Sequence, residues 1–274
     1  MNIIRVRNVD IEKPEYGGKM ILVWKMMTEL LKKRTDVDKI VLVSNFTETL
    51  DIFARMLSSM NAKYVRLDGG VPVNKRQKLV EAFNDPHSNI FAFLLSSKAG
   101  GCGLNLIGGN RLVLFDPSWN PADDRQAAAR IWRDGQKKTC YIYRMLATGS
   151  IEEKIFQRQV TKEGLASLVM EEDIAGESAI AQNDVRRLFE FQEDTCSDTH
   201  DMLHCRGCVA RAKHWLLHPR GNGYKPEDSG ANDASLLKWA HHAHLQTVED
   251  DLLQKVGQEH VSFTFSLQCS NDDK

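Results

Sequence analysis

Three segments of this 274-residue chain carry residue types suited to phosphate chemistry. The first is Ser96-Ser-Lys-Ala-Gly-Gly-Cys-Gly-Leu-Asn-Leu106, directly after an apolar run that reads as a strand. Glycines let the backbone approach a ligand closely, and hydroxyls and amides supply donors to phosphate oxygens. The same composition also suits a plain strand-to-helix turn. It is not a Walker A loop, because Gly-x-x-x-x-Gly-Lys-Ser/Thr occurs nowhere in the chain. The second is Gln126-Ala-Ala-Ala-Arg-Ile-Trp-Arg-Asp-Gly-Gln136. On a helix, Arg130 and Arg133 project to one side. Two guanidinium groups so placed can hold a triphosphate. The alternative is a solvated basic face paired with Asp123, Asp124 or Asp134. The third is Arg111-Leu-Val-Leu-Phe-Asp-Pro-Ser-Trp-Asn-Pro121, a buried strand running into an acidic residue and a proline-bounded turn, with Trp119 as a packing residue.

These segments need a scaffold. Near-continuous apolar runs at Lys39–Ser44, Tyr64–Asp68, Ile90–Leu95, Arg111–Asp116 and Cys140–Leu146 predict strands covered on both faces. Helices are expected between them. One starts near Thr47 with Leu50, Phe53, Leu57 and Met60 on one stripe, and another covers Asn74 to Phe83. A third starts at Pro121, and a fourth opens with the capping pattern Ser150-Ile-Glu-Glu153. Strand–helix alternation with short connections implies an α/β fold with a parallel sheet. Beyond residue 171 the chain turns acidic, then rich in His, Cys and Trp. Short helices are expected at Asn183–Phe191, Ala234–His244 and Val248–Val256.

Composition bounds the function. The chain has 36 Lys+Arg against 37 Asp+Glu, so bulk charge does not suggest a polybasic nucleic-acid partner, and phosphate binding must come from local placement. No apolar run approaches the roughly 18–20 residues of a membrane span, so no membrane partner is expected. Six irregularly spaced cysteines do not form a disulfide framework, which favours a reducing compartment, cytosol or nucleus.

In order and spacing, Ser97-Lys-Ala-Gly-Gly-Cys-Gly-Leu-Asn-Leu, Asp116-Pro-Ser-Trp-Asn-Pro and Gln126-Ala-x-x-Arg-x-x-Arg-x-Gly-Gln resemble the second helicase lobe of Swi/Snf-type ATPases. Gln136, where RNA helicases carry Arg, favours the double-stranded DNA translocases. Gly18-Lys19-Met20, Val41-Leu-Val-Ser-Asn-Phe-Thr and Arg66-Leu-Asp-Gly69 resemble the lobe's earlier motifs. The runs Trp132–Arg144, Thr148–Gln159 and Ser197-Asp-Thr-His-Asp201, followed by Cys205-Arg-Gly-Cys208, are similar to the recombinational-repair translocases of that family, which work with the strand-exchange recombinase.

The resemblance implies a RecA-like three-layer lobe over residues 18–148, an N-terminal extension at 1–17, a brace helix and linker at 149–195, and a mostly helical, Cys/His-rich subdomain at 196–274. It implies a nuclear protein acting on double-stranded DNA with the recombinase filament and an N-terminal ATPase lobe. Arg130 and Arg133 would be the catalytic arginines. Gln126, Gly103 and Asn105 would join them around ATP with Mg. Ser44, Asn45, Thr47, Ser96, Ser97, Lys98, Gly100 and Gly101 would meet the DNA backbone. Two thiolates spaced as Cys205 and Cys208 form half of a structural zinc site; by the resemblance His241 and His242 stand where the other half is found, His242 where a cysteine is usual, with His204 or His244 as a further candidate ligand. Two reduced cysteines beside a solvated His cluster is the alternative. Arg125 and Gly164 depart from the family pattern. No Walker A or Asp-Glu-x-His-type motif occurs in the chain, so alone it is not expected to hydrolyse ATP. Two other functions fit: a non-catalytic module binding DNA or the recombinase, and a chromatin-remodelling ATPase lobe.

Overall fold

The computed structural model describes residues 17–32, 38–100, 103–169, 188–203, 236 and 239–269. They divide into two compact units, one covering 1–116 and 123–145, the other 117–122 and 146–274.

The first unit is built on five parallel strands: β1 (Ile40–Ser44), β2 (Lys63–Leu67), β3 (Ile90–Ser96), β4 (Arg111–Leu114) and β5 (Tyr141–Arg144), in the order β2-β3-β1-β4-β5. Helices α1 (Gly18–Lys32), α2 (Thr47–Ser59), α3 (Val73–Asn84) and α4 (Pro121–Ala128) accompany them. The strands lie within a residue or two of the apolar runs, and the α/β expectation holds.

Alternation explains why those runs are unbroken. Val41, Val43, Phe93, Leu95, Leu112 and Leu114 share one buried cluster with Val80 and Phe83 of α3 and with Ala127 and Ile131. Successive strand residues face opposite ways. Ile40, Leu42, Ala92, Leu94 and Val113, on the other face, are also fully buried. Both faces of β1, β3 and β4 are therefore covered, whereas β2 and β5, also expected to be covered, lie at the sheet edges and are mostly half-buried. At the amino ends of the strands, the buried Arg111 donates to Asp38 at 2.8 Å and lies 4.1 Å over the Tyr141 ring. Asn110 Nδ2 donates to the same carboxylate at 2.7 Å.

In the second unit, α5 (Ile151–Val169) starts directly after Ser150, where the capping pattern puts it, although both capping bonds go to the amide one residue earlier than in the reciprocal box. Ser150 Oγ accepts Glu152 N at 3.2 Å and donates to Ala147 O at 2.6 Å, and Glu153 Oε2 accepts Gly149 N at 2.8 Å. The same buried Glu153 accepts Ser197 Oγ at 2.8 Å and Thr199 N at 2.7 Å through its other oxygen. Lys154 and Gln157 reach Asp198 at 2.6 Å and 2.5 Å. Helix α5 is thus fastened to the short α6 (Asp198–Met202), so Ser197–Asp201 works as a hydrogen-bonded clip. Burial alone would raise the Asp198 carboxyl, but the Lys154 and Gln157 contacts outweigh it and hold it below the usual carboxylate range.

The helix expected at Ala234–His244 needs correction. Ala240–His242 is a strand, β6, paired antiparallel with β7 (Thr264–Ser266). Helix α7 (Asp251–Val256) begins later than expected, capped by Asp250, whose side chain accepts Leu252 N. The strand geometry also separates two residues that the zinc expectation joins. His241 meets Phe265 edge-on at 4.9 Å and His200 at 5.3 Å. Its Nε2 lies 2.9 Å from the Leu236 carbonyl. His242, pointing to the opposite face, bonds Thr247 Oγ1 through Nδ1 at 2.6 Å and Ser266 Oγ through Nε2 at 2.7 Å. Neighbours on a strand cannot turn to one ion, and both nitrogens of His242 are engaged, so His241 and His242 as placed do not fit a shared metal. No metal-sized group of ligating residues exists among the described residues, and Cys205 and Cys208 lie outside them.

Two predictions follow from this unit. Gly149 has φ +66, and a Cβ there would stand 2.0 Å from the Gln192 carbonyl oxygen. Gly149→Ala should cost at least about 2 kcal/mol in chemical denaturation, and an unchanged midpoint would contradict the close approach. Burial lowers the pKa of His200, His241 and His242; Asp201 beside His200 and Glu249 beside His242 oppose the shift without reversing it. The folded state then binds fewer protons than the unfolded one, so stability is complete above about pH 6.5 and falls as pH drops below it. Protection factors at the Ala240–His242 amides, taken against the intrinsic exchange rate at each pH, should fall as the pH drops below about 6.5; protection that rises in acid would reverse the sign.

Candidate functional site

A parallel sheet delivers the carboxyl ends of its strands to one edge, where open α/β sheets bind ligands. Register places Ser44, the last residue of β1, beside Ser96, the last residue of β3. Both are buried. Ser44 Oγ donates to Asp116 Oδ2 and accepts Phe46 N at 3.1 Å. Asp116 Oδ2 also accepts Asn45 N at 3.2 Å, and the Asp116 carbonyl accepts Asn45 Nδ2 at 3.4 Å. Ser97 Oγ donates to Asn45 Oδ1 at 2.5 Å. One network therefore joins the ends of β1, β3 and β4. Ser44 and Ser96 are only 1% and 4% exposed, so as placed neither turns its hydroxyl outward to a phosphate. Ser97 is half-buried, and Lys98 and Thr47 are exposed.

Ser97–Gly100 forms a 3-10 turn. Arg76 of α3 braces it, donating to Ala99 O through Nη1 and to Val71 O through Nε, both at 3.1 Å. Gly101 lies outside the described residues. Asn84 holds the following loop, its Nδ2 donating to Asn105 O at 2.7 Å and its Oδ1 accepting Gly108 N at 2.9 Å. A Cβ on Gly108 would come within 2.7 Å of Asn84 Cα, so only glycine fits this approach.

The arginine segment differs from the helical expectation. Helix α4 ends at Ala128, and Arg130 and Arg133 lie in the turns beyond it. Arg130 N donates to Ala127 O at 3.1 Å, a tighter spacing than α-helix, and the Arg130 carbonyl accepts Leu106 N at 2.9 Å. Arg130 is buried, whereas Arg133 and Gln126 are exposed. Arg133 Nη1 donates to Gly103 O at 3.1 Å. The arginine segment and the glycine-rich loop are thus bonded twice, through Leu106 and Gly103.

Gln136, Asp116 and Arg76 carry the site without having been singled out as site residues. Gln136 Nε2 donates toward the carbonyls of Gly109 at 2.9 Å, Ile131 at 3.1 Å and Ile107 at 3.3 Å. Its Oε1 accepts Lys137 N and Lys138 N, each at 3.0 Å. A carboxylate could not donate to those carbonyls, and a guanidinium could not accept from those amides. Gln136→Ala should therefore cost about 2–4 kcal/mol of stability. A loss below about 0.5 kcal/mol in urea titration would show that water replaces the latch.

Residues 22–135 match the helicase conserved C-terminal domain family. The Gallus gallus "DNA repair and recombination protein RAD54-like" is 48% identical over 254 residues, covering 92% of this chain and 33% of that protein. The Homo sapiens protein of the same name is 49% identical over 242 residues, with 88% and 31% covered. The Oryza sativa subsp. japonica "DNA repair and recombination protein RAD54" is 44% identical over 290 residues, with 93% and 29% covered. The chain thus spans about a third of the length of these relatives. The solved C-terminal part of the Fun30 ATPase domain superposes with a TM-score of 0.51 at 34% identity, covering 66% of this chain and 55% of that one. Residues 22–135 thus carry a helicase conserved C-terminal domain, and along most of its length the chain is similar to about a third of RAD54-like DNA repair and recombination proteins, as a RecA-like lobe of the Swi/Snf type.

Proposed function

We propose that this chain is the C-terminal motor lobe of an ATP-dependent double-stranded DNA translocase acting in homologous recombination and repair, working with an N-terminal ATPase lobe and a recombinase filament in the nucleus. One observation carries the reading. The segment with Arg130 and Arg133 is bonded to the glycine-rich loop at Leu106 and Gly103. A group able to sense ATP is thereby tied to a loop able to touch DNA phosphate, which a motor requires.

Arg133, with its guanidinium exposed, stabilises charge on the transferring phosphoryl group of ATP held with Mg by the other lobe. Arg130, buried, anchors the segment through its carbonyl. Gln126, exposed on α4, lies within the same stretch. Ser97, Lys98, Thr47 and the backbone of Gly100 offer donors to the tracked strand. Phosphate contacts carry no sequence information, which suits movement along any duplex.

A chimaera joining this chain to the first lobe of a RAD54-like relative tests the reading. Arg133→Ala should lower DNA-stimulated ATP hydrolysis by about 10³-fold or more, with duplex affinity changed by less than about threefold. Equal loss of both would assign Arg133 to folding or DNA contact, and DNA-stimulated ATP hydrolysis by this chain alone would defeat the two-lobe division.

A further inference from the structure

We infer that Asp116 is a positioning residue for DNA binding, acting through Asn45 to set the Ser97 hydroxyl at the carboxyl edge of the sheet. The inference rests on the proposed DNA contact of the Ser97–Gly100 turn and deepens it.

The first link is the asparagine amide. Asn45 Nδ2 can only donate, and it faces the Asp116 carbonyl at 3.4 Å. The amide oxygen is thereby turned toward Ser97, where it accepts the hydroxyl proton at 2.5 Å. The Asp116 carboxylate fixes the base of this arm by holding Asn45 N at 3.2 Å and, through the same oxygen, the Ser44 hydroxyl. A chain of contacts thus runs from β4 through the end of β1 to the first residue of the turn after β3.

The hydroxyl provides the second step. It has one proton, and that proton is given to Asn45. Its lone pairs remain, but a phosphate oxygen needs a donor. The Ser97 O–H therefore has only to rotate from Asn45 to a phosphate, with the oxygen already in place. Without Asp116, Asn45 loses both constraints and Ser97 loses its fixed orientation. Arg76 bonds the far end of the turn at Ala99, so Asp116 governs the Ser97 end alone.

Four chains test this: wild type, Ser97→Ala, Asp116→Ala and the double variant. Duplex DNA affinity is measured across a salt series, and thermal unfolding is followed in parallel. Each single variant should weaken binding by about five- to tenfold. The double variant should be no weaker than the weaker single one, because both remove the same contact. Asp116→Asn keeps an acceptor for Ser44 Oγ and Asn45 N and should bind within about threefold of wild type. Should Asp116→Ala fail to fold, Asn45→Ala takes its place in the cycle. A multiplicative loss in the double variant overturns the inference, because Asp116 then acts on binding independently of Ser97. Lys98→Ala separates the two readings. If it lowers the salt slope by about one charge while the cycle is multiplicative, the DNA contact stands and the Asp116 role falls. If the wild-type chain shows no salt-dependent duplex binding, both fall together.

Discussion

The register of parallel pairing is the constraint on which the rest of this lobe depends. Ser44 aligns with Ser96, and β4 runs beside β1 so that Asp116 follows within two residues of its end. No helix or loop chooses that alignment; the apolar residues filling both faces do. A slip of one residue would turn Val41 and Val43 to the opposite face, out of the cluster they share with α3. The same slip would part Ser44 from Asp116. The hydrogen-bonded edge is thus a consequence of core packing, and its geometry is as firm as the core beneath it.

The second dependence is topological. The arginine segment lies in turns that no helical ladder holds, and it stays in place through exchanges with the loop before β4. The Arg130 carbonyl bonds Leu106 N, where a continuing helix would have offered it to residue 134. Gln136 closes the other side, gathering the carbonyls of Ile107, Gly109 and Ile131. Gly135, at φ +95, makes the reversal that brings Gln136 back to those carbonyls. The loop and the arginine segment therefore behave as one body, so a displacement of either is felt by the other.

Much of this was legible in the residues, for identifiable reasons. Strands buried on both faces leave unbroken apolar runs, and β1, β3 and β4 could be located from these alone. Helix starts with Pro121 or Ser150 carried their own chemistry. The arginine segment was misread because continuation past Ala128 looked favourable locally. Past Ala128 the backbone bonding tightens, and the Arg130 carbonyl is taken by Leu106, a residue 24 positions earlier. Strand β6 was missed because its three residues, Ala-His-His, show no period, and β7, which pairs them, lies 22 residues downstream of its end. Asp116 stood within a recognisable motif, yet its partners Ser44 and Asn45 are more than 70 residues away. Long-range hydrogen bonds leave no local pattern to read.

An acidic residue at an edge proposed to meet phosphate raises a conflict, since like charges repel. The network resolves the conflict. The Asp116 carboxylate accepts from the Ser44 hydroxyl and the Asn45 amide, both held by β1, and its charge is spent inward. What the edge shows outward is Lys98, Thr47 and the hydroxyl-bearing turn. Bulk charge near zero is therefore compatible with phosphate contact. The acids need not be absent from a nucleic-acid surface. They need only be committed to donors that orient it, and a carboxylate that organises hydroxyls and amides can do more for phosphate recognition than its removal would.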